Sequence, residues 1–575
     1  MRGPGFGKFK LFEKENQIPK VKKKKSVSRP KEQHRKRNRS GCFTCRKRKI
    51  KCSGLRPYCE NCIKSSYLCL WPTGEESLSH QNDFIIRKCQ YINKNGKITV
   101  HNHFHEIFES REDELFRKVL VEINLSALDT VSPKERNSLL DSAFIKGFMT
   151  DISPQLAHIN LQPGAVFIPL GKGNEILQEL FHSCGASFLY RKTQNEKMRS
   201  LSQAKFDNSM EALLQRVSLG SFFQNEIGML AHCLLTYLKL KFVYEGQRIH
   251  TLSMLAAIES MKFWVIQKQG GEMNFENGSI VTDILRIEHA TLTETMLINL
   301  INQLKFYTSN RLLCLDDGDP VIVSPTERTI LESFVYNYAN SIFRCDRNLK
   351  AYMTSPFIIF DSLRPYLTNP IYQCAVPWMN HPIVGAAFPL IELQAKLCWF
   401  GLTDGRVSDE DKAVILQIRN TVDSFERPSL PVGVLEQEPP NIQSKLLEST
   451  YGAVILAKAL YVYATKLLYP DIPMEVELVQ SSVKDAYEAF YQISPQSQIH
   501  VVLLFSMAVI GCSTVNTSQK AYMLHKVETL KEVFKVYSLT TLAPLFDAAW
   551  KANGYGLNRG WDVLFDPECL NSVVF

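Results

Sequence analysis

The sequence predicts a mainly α-helical protein, in which a small cysteine-rich domain near the N-terminus precedes a large all-α region. Three observations lead to this prediction. Six cysteines stand within residues 42–69. Apolar residues recur at helical spacing over most of residues 111–575. Of the 575 residues, 45% are hydrophobic, which is typical of a protein with a substantial core.

The first element in chain order is a basic arm over residues 1–38, which we expect to be disordered when free. Residues 1–72 contain 22 lysines and arginines against 4 acidic residues, whereas the rest of the chain contains 45 against 54. A basic head on a mildly acidic body is typical of a polyanion-binding module joined to a separate interaction domain. The runs at 22–25 and 35–39 favour a nuclear import signal or a phosphate-contacting arm over a merely solvated tail.

The start of the chain has no apolar core of signal-peptide length, so secretion is not expected. The longest apolar stretch near the C-terminus, residues 501–512, is shorter than the roughly 18 residues that cross a bilayer, and we interpret it as a buried helix. No membrane partner is therefore predicted. Fifteen cysteines in such a chain favour reduced thiols and metal ligation over disulfides.

The second element, residues 39–72, has the cysteine spacing of a metal cluster. The spacing is C-x2-C-x6-C-x6-C-x2-C-x6-C, so the same half occurs twice, and the cysteines are Cys42, Cys45, Cys52, Cys59, Cys62 and Cys69. Six thiolates can serve one tetrahedral zinc with two left over, or two zinc ions if two sulfurs are shared. Pseudo-symmetry favours Cys42 and Cys59 as the shared pair. A redox pair or a RING- or LIM-like site fits less well, because each half has a third cysteine and histidine is absent.

The two halves of this domain differ in charge. Cations fill most of the segment between Cys45 and Cys52, namely Arg46, Lys47, Arg48, Lys49 and Lys51, whereas the equivalent segment of the second half has only Lys64. Lysine and arginine can neutralise phosphates and bond the acceptor atoms of guanine in the major groove. The first half is therefore predicted to face double-stranded DNA, with a solvated charged helix as the alternative.

These residues resemble the fungal zinc binuclear cluster, or Zn(2)-Cys(6), transcription factors. Residues 39–52 (RSGCFTCRKRKIKC) and 57–62 (PYCENC) carry the resemblance. It implies two short helices around two zinc ions, with Arg48 and Lys49 contacting bases and the other three cations mostly holding phosphates. It also implies sites built on CGG triplets and a nuclear protein that acts on RNA polymerase II genes.

The third element, residues 73–110, is predicted to be a linker with a possible hairpin that turns at Asn95-Gly96. His101, His103 and His105 would share one face of a strand, but no fourth ligand is identifiable, so a polar strand face is favoured over a metal site.

The fourth element, residues 111–575, resembles the same family's C-terminal regulatory domain. The resemblance lies in residues 327–348, 380–385, 451–469 and 561–564 and suggests the regulators of nitrogen and amino-acid metabolism. Helices are predicted at 112–125, 174–189, 206–244, 252–267, 285–307, 327–344, 382–400, 409–425, 441–468, 476–491, 499–513, 520–536 and 539–553. No heptad pattern follows the cysteines, so a homodimer and its half-site spacing stay open.

The sequence thus predicts a sequence-specific DNA-binding transcription factor whose partners are DNA, co-regulators or the transcription machinery, and a nuclear import receptor. The alternative is a zinc-dependent protein-interaction scaffold. An enzyme is not expected, because residues 171–173 and 316–319 lack the spacing of a phosphate or calcium loop. Cys233, Cys398 and Cys512 are predicted to be core residues, and Trp550 and Trp561 to be packing anchors. The target genes, the effector and the direction of regulation stay open.

Overall fold

The computed structural model describes part of the cysteine-rich domain and most of the body. The described residues are 41, 42, 45, 46, 48–54, 59 and 61, and those between 133 and 571 except 146–156, 158–160, 162, 221–225, 244–245, 269–284, 309–322, 373, 375, 403–406, 431–439, 496, 535–536 and 552–559. Over these residues the regular structure is helical and contains no strand, which confirms the mainly α prediction. Four predicted features lie outside the described residues: the basic arm, the hairpin with its three histidines, the helix at 112–125 and the loop at 316–319.

The described part of the body is built mostly of α-helices. They are α1 (Pro133–Ala143), α2 (Pro163–Lys172), α3 (Glu175–Thr193), α4 (Glu196–Ser218), α5 (Glu226–Val243), α6 (Gln247–Lys268), α7 (Leu292–Thr308), α8 (Pro325–Phe343), α9 (Pro356–Thr368), α10 (Phe388–Gly401), α11 (Asp409–Asp423), α12 (Pro440–Leu468), α13 (Glu477–Phe490), α14 (Leu504–Cys512), α15 (Thr517–Phe534), α16 (Leu542–Lys551) and α17 (Pro567–Asn571). Short 3₁₀ helices occur at Arg347–Tyr352, Pro377–Asn380, Gly385–Ala387, Gln498–Leu503, Tyr537–Thr541 and Gly560–Leu564.

Sequence neighbours pack together around one continuous hydrophobic core. The α3–α4, α5–α6 and α12–α13 pairs are in close contact, and α12 also packs against α10, α11 and α14. Cys233, Cys398, Cys512 and Trp561 are all buried in this core, as predicted. Trp550 is partly buried against the core and donates its indole N–H to the carbonyl of Gly511 at 3.0 Å.

Helix α8 runs through the core and carries charged side chains that organise its surroundings. Arg328, which is fully buried, donates to the carbonyls of Tyr366 (3.1 Å), Asn380 (3.4 Å) and Asn369 (2.5 Å). Because buried polar groups must find partners, this guanidinium fixes the chain that leaves α9 and passes through the 3₁₀ helix Pro377–Asn380.

One turn along α8, the buried carboxylate of Glu332 holds the next segment. It accepts the backbone N–H of Ile383 at 2.8 Å and of Val384 at 3.0 Å, and lies 3.1 Å from Nδ1 of His381. The His381 ring stacks on Phe388 with centroids 3.8 Å apart, at the start of α10. The polar residues of α8 therefore fix residues 380–385 instead of facing solvent.

Four predicted helices needed correction. The helix predicted at 285–307 begins only at Leu292, because residues 285–291 form a turn and irregular structure. The helix predicted at 206–244 is two helices, α4 and α5, because Gly220 adopts φ 63° and ends the first of them. Residues 382–387 are turns and a 3₁₀ helix, so α10 begins at Phe388. The segment predicted at 499–513 is a 3₁₀ helix followed by α14.

Among the described residues, α6 and residues 443–468 of α12 are long and apolar enough to cross a membrane. Within the most apolar window of each, 94% and 78% of the residues are buried inside the protein. Their composition is that of core helices. All residues of α14 are likewise buried, as predicted for the apolar stretch near the C-terminus.

Candidate metal centre and nucleic-acid interface

Four of the six predicted zinc ligands lie together in the described part of the cysteine-rich domain. The sulfurs of Cys42, Cys45, Cys52 and Cys59 all lie within 4.8 Å of one another. Sγ of Cys59 is 3.8 Å from that of Cys42 and 3.4 Å from that of Cys45. A tetrahedral zinc with bonds of about 2.3 Å separates its sulfurs by about 3.8 Å, so the donor set fits one zinc ion.

The remaining two predicted ligands, Cys62 and Cys69, lie outside the described residues. The sharing of Cys42 and Cys59 between two ions is therefore still a prediction. Both sulfurs are fully buried and stand at the separation that two ligands of a common zinc require.

The backbone around these cysteines presents hydrogen-bond donors to the sulfurs. The N–H of Cys45 points to Sγ of Cys42 at 3.3 Å, and the N–H of Cys42 points to Sγ of Cys52 at 3.5 Å. Zinc is bound by thiolate sulfur, and such a sulfur can accept these N–H groups while it holds the metal. These bonds add to the contacts that hold Cys42, Cys45 and Cys52 together.

Lys49 closes the short helical turn that starts at Cys45. The N–H of Ile50 donates to the carbonyl of Cys45 and that of Lys49 to the carbonyl of Arg46, both at 3.1 Å. This pair of bonds is the Schellman motif, and Lys49 occupies its left-handed position with φ 57°. Glycine is the usual residue there, because any other L-residue is strained by about 1–2 kcal/mol. The motif turns the chain toward Cys52 and leaves the Lys49 side chain exposed.

Two further residues, which the sequence did not single out, hold the cluster together. A Cβ atom on Gly41 would lie 2.8 Å from Cβ of Cys52, so only glycine lets these two segments approach. Asn61, from the second half, donates its amide to the carbonyl of Lys51 at 2.5 Å, and its own carbonyl accepts a bond from Nη1 of Arg48 at 3.4 Å. The spacing of the cysteines gives no signal for either contact.

The predicted DNA-contacting cations differ in exposure. Lys49 and Lys51 are exposed, whereas Arg46 and Arg48 are half-buried against the domain. Lys47 lies outside the described residues. The two exposed lysines flank Ile50, itself 39% exposed, so the described surface of the first half is cationic.

The body contains a serine–histidine pair that resembles a nucleophile and its base. Oγ of Ser209 lies 2.7 Å from Nε2 of His232. Both residues are 1% exposed, and the serine hydroxyl donates to the carbonyl of Ile176 at 2.8 Å. Burial lowers the pKa of His232 to about 3. A neutral imidazole sealed from substrate has a structural role, as a link between α3, α4 and α5.

Comparison with known proteins identifies the cysteine-rich domain. Residues 40–73 match the family model of the fungal Zn(2)-Cys(6) binuclear cluster domain. The domain is accordingly a zinc-binding one, and the four clustered cysteines agree with this.

The curated relatives are transcriptional regulators. One uncharacterized transcriptional regulatory protein of Schizosaccharomyces pombe is 59% identical over 39 residues, or 7% of this chain and 7% of the relative. A second from the same yeast is 29% identical over 110 residues, or 19% and 11%. Transcription factor FUP7 of Fusarium proliferatum is 31% identical over 111 residues, or 16% and 45%.

The chain therefore matches less than half the length of each of these relatives. No solved structure matches it. The zinc cluster domain and the nature of the relatives support a DNA-binding transcription factor.

Proposed function

We propose that this protein is a nuclear, sequence-specific transcription factor of RNA polymerase II genes that reads CGG-type sites through two zinc ions held by six cysteines. The observation that carries the proposal is a cluster of four cysteine sulfurs, three of them on buried residues, next to a turn with exposed lysines. Each ion would take four sulfurs if Cys42 and Cys59 bridge. Zinc would supply the cross-link that folds a segment too short for a core of its own.

We propose that the side chains between Cys45 and Cys52 make two kinds of contact with DNA. Arg48 and Lys49 contact base edges, while Arg46, Lys47 and Lys51 neutralise phosphates. The exposure of Lys49 and Lys51 supports these roles. The bond from Arg48 to Asn61 supports a guanidinium held in a defined direction from which it can reach a guanine.

The other parts of the chain complete the proposal. Residues 1–38 would bind a nuclear import receptor and add phosphate contacts, residues 39–72 would form the DNA-binding domain, and residues 73–110 would link it to the body. Residues 111–575 would be the family's regulatory domain, which recruits co-regulators or the transcription machinery and acts on genes of nitrogen or amino-acid metabolism. Whether the protein binds DNA as a homodimer stays open. No enzymatic activity is proposed for it.

The proposal is tested by zinc analysis and DNA titration of the full-length chain. We expect two zinc ions per chain. We also expect the protein to bind a CGG duplex more tightly than a scrambled duplex at both of two salt concentrations. One ion per chain would refute the shared cluster. If the protein has the same affinity for both duplexes, and added salt lowers the two affinities by the same factor, the proposed contact with bases is refuted.

A double charge reversal, Arg48→Glu with Lys49→Glu, distinguishes this function from a protein-interaction scaffold. It should abolish DNA binding while the zinc stays bound, because neither side chain is a ligand and the bond from Asn61 to the carbonyl of Lys51 remains after the Arg48 contact is lost. The matched control is Lys484→Glu on α13, where the lysine is 71% exposed. DNA binding that survives the double reversal but not zinc removal would favour the scaffold.

A further inference from the structure

A cleft of about 350 Å³ opens in the body where α3, α4 and the end of α5 meet. This volume lies within the range of small-molecule sites. Its lining is polar: serines 187, 200 and 202, Tyr190, Gln203 and charged side chains from α4 and α5. A polar cavity among helices that are otherwise packed with apolar residues calls for a chemical explanation.

A buried cation forms the inner wall of the cleft. The side chain of Lys239 is among the largest fully buried ones of the protein. Its ammonium donates to Oε1 of Gln203 at 3.2 Å and lies 4.1 Å from the ring centre of Phe206. Burial lowers the pKa of Lys239 to about 8, and the negative charge of Asp207 opposes this effect. Burying an ammonium is costly, so its place beside a cavity favours a role in binding.

The neighbouring polar groups are fixed in position. The amide of Gln203 donates to Oδ1 of Asp207 at 2.8 Å, which turns its oxygen toward Lys239. The hydroxyls of Ser187 and Ser202 lie 2.6 Å apart, and Ser202 donates to the carbonyl of Ser183 at 2.9 Å. This part of the cleft is therefore organised before a ligand enters.

A second cation stands at the mouth of the cleft. Arg199 is half-exposed, lies 5.8 Å from the ring centre of Tyr190, and pairs with Glu196 at 3.6 Å. An exposed ion pair of this kind contributes little free energy, so the guanidinium can exchange its partner at small cost. A ligand that takes the place of Glu196 beside Arg199 would have this guanidinium on one side and the buried ammonium of Lys239 behind the wall of the cleft.

We propose that this cleft binds a small organic anion, whose carboxylate or phosphate group lies between Lys239 and Arg199 and whose remaining polar atoms meet the serine hydroxyls. The residues of this site are separate from those of the zinc cluster. Through this site the body would bind a small molecule. Its ligand class follows from the two cations, the polar lining and the volume of the cleft.

The test uses the full-length, zinc-loaded protein with inorganic phosphate, succinate and citrate as probes, each matched for ionic strength with sodium chloride. At least one probe should raise the midpoint of thermal unfolding by several degrees and give a saturable calorimetric isotherm. Lys239→Met, which keeps the apolar stem and removes the buried charge, should weaken that binding at least tenfold. Arg199→Gln, at an exposed position that folding does not need, should weaken it severalfold.

The matched control is Lys526→Met on α15. Lys526 is also buried, and burial also lowers its pKa to about 8, but it lies beside Glu448 and Tyr522 instead of the cleft. This variant should bind the anion as the natural protein does. The proposal would be overturned if none of the three probes binds. It would also be overturned if Lys239→Met and Arg199→Gln both bind the anion as tightly as the natural protein does. DNA binding is measured in parallel and should not change, which keeps this result independent of the proposed function.

Discussion

Lys49 has a left-handed backbone conformation and an exposed side chain, so a single substitution at this position can separate the stability of the zinc domain from its recognition of DNA. Replacing this residue by glycine removes a strain of about 1–2 kcal/mol. The added freedom of the unfolded chain offsets about 0.5–1 kcal/mol of that gain. Lys49→Gly should therefore retain zinc at least as well as the natural protein, with a net stabilisation of roughly 0.5 kcal/mol.

The same substitution should impair recognition, because it removes a side chain that we assign to a base. A good side-chain contact with a base is worth about 1–3 kcal/mol of discrimination, so the ratio of affinities for CGG and scrambled duplexes should fall by about 5- to 150-fold. Fluorescence anisotropy with both duplexes measures this ratio, and competition with a zinc chelator measures metal retention.

Lys51→Gln is the control for this experiment, because Lys51 is exposed in the same segment and is assigned to a phosphate. It should weaken binding to both duplexes by the same factor and reduce the salt slope of log K by about 0.9. The reasoning is refuted if Lys49→Gly releases zinc more readily than the natural protein, or if it keeps the full preference for CGG.

Three other predictions concern single residues. Gly41→Ala should speed zinc release to a chelator at least tenfold, because its Cβ would lie 2.8 Å from Cβ of Cys52; unchanged release would contradict this. Arg328→Met should lower the free energy of unfolding in urea by about 3 kcal/mol, because it leaves buried carbonyls without donors; a change under 1 kcal/mol would contradict it. The pKa of His232 is about 3 in the folded protein against 6.5 for the free side chain, so this residue alone makes the folded state lose about 2 kcal/mol of stability as pH falls from above 6.5 to 5. His232→Gln should reduce that loss, and the exposed His525→Gln should not.

The helices that could be predicted closely are those with local start signals. The helix predicted at 327–344 is α8 (Pro325–Phe343), where Ser324 and Glu327 form a capping box, and that predicted at 409–425 is α11 (Asp409–Asp423), where the Ser408 hydroxyl caps the helix. Helices α2 and α9 were missed because each has a proline inside it, Pro169 and Pro365, which normally ends a helix.

The sequence predicts those zinc ligands whose proximity follows from their spacing along one short segment. Cys42, Cys45 and Cys52 come from one continuous segment, so their order along the chain indicates their proximity. The contributions of Gly41 and Asn61 were not predictable, because a close backbone approach and a bond between the two halves depend on how the halves dock. The periodicity of α8 likewise gives no signal that Arg328 points into the core.

The structure brings together two of the stretches from which a regulatory domain was predicted. Residues 327–348 and 380–385 are distant in sequence, but they meet through Arg328 and Glu332, whose partners include the carbonyl of Asn380 and the backbone N–H of Ile383. A buried charge with several backbone partners cannot be replaced without leaving those partners unsatisfied. These packing requirements constrain the fold of the body and not its ligand. Any ligand specificity has to come from residues free of that role, such as Lys239 and Arg199 in the polar cleft.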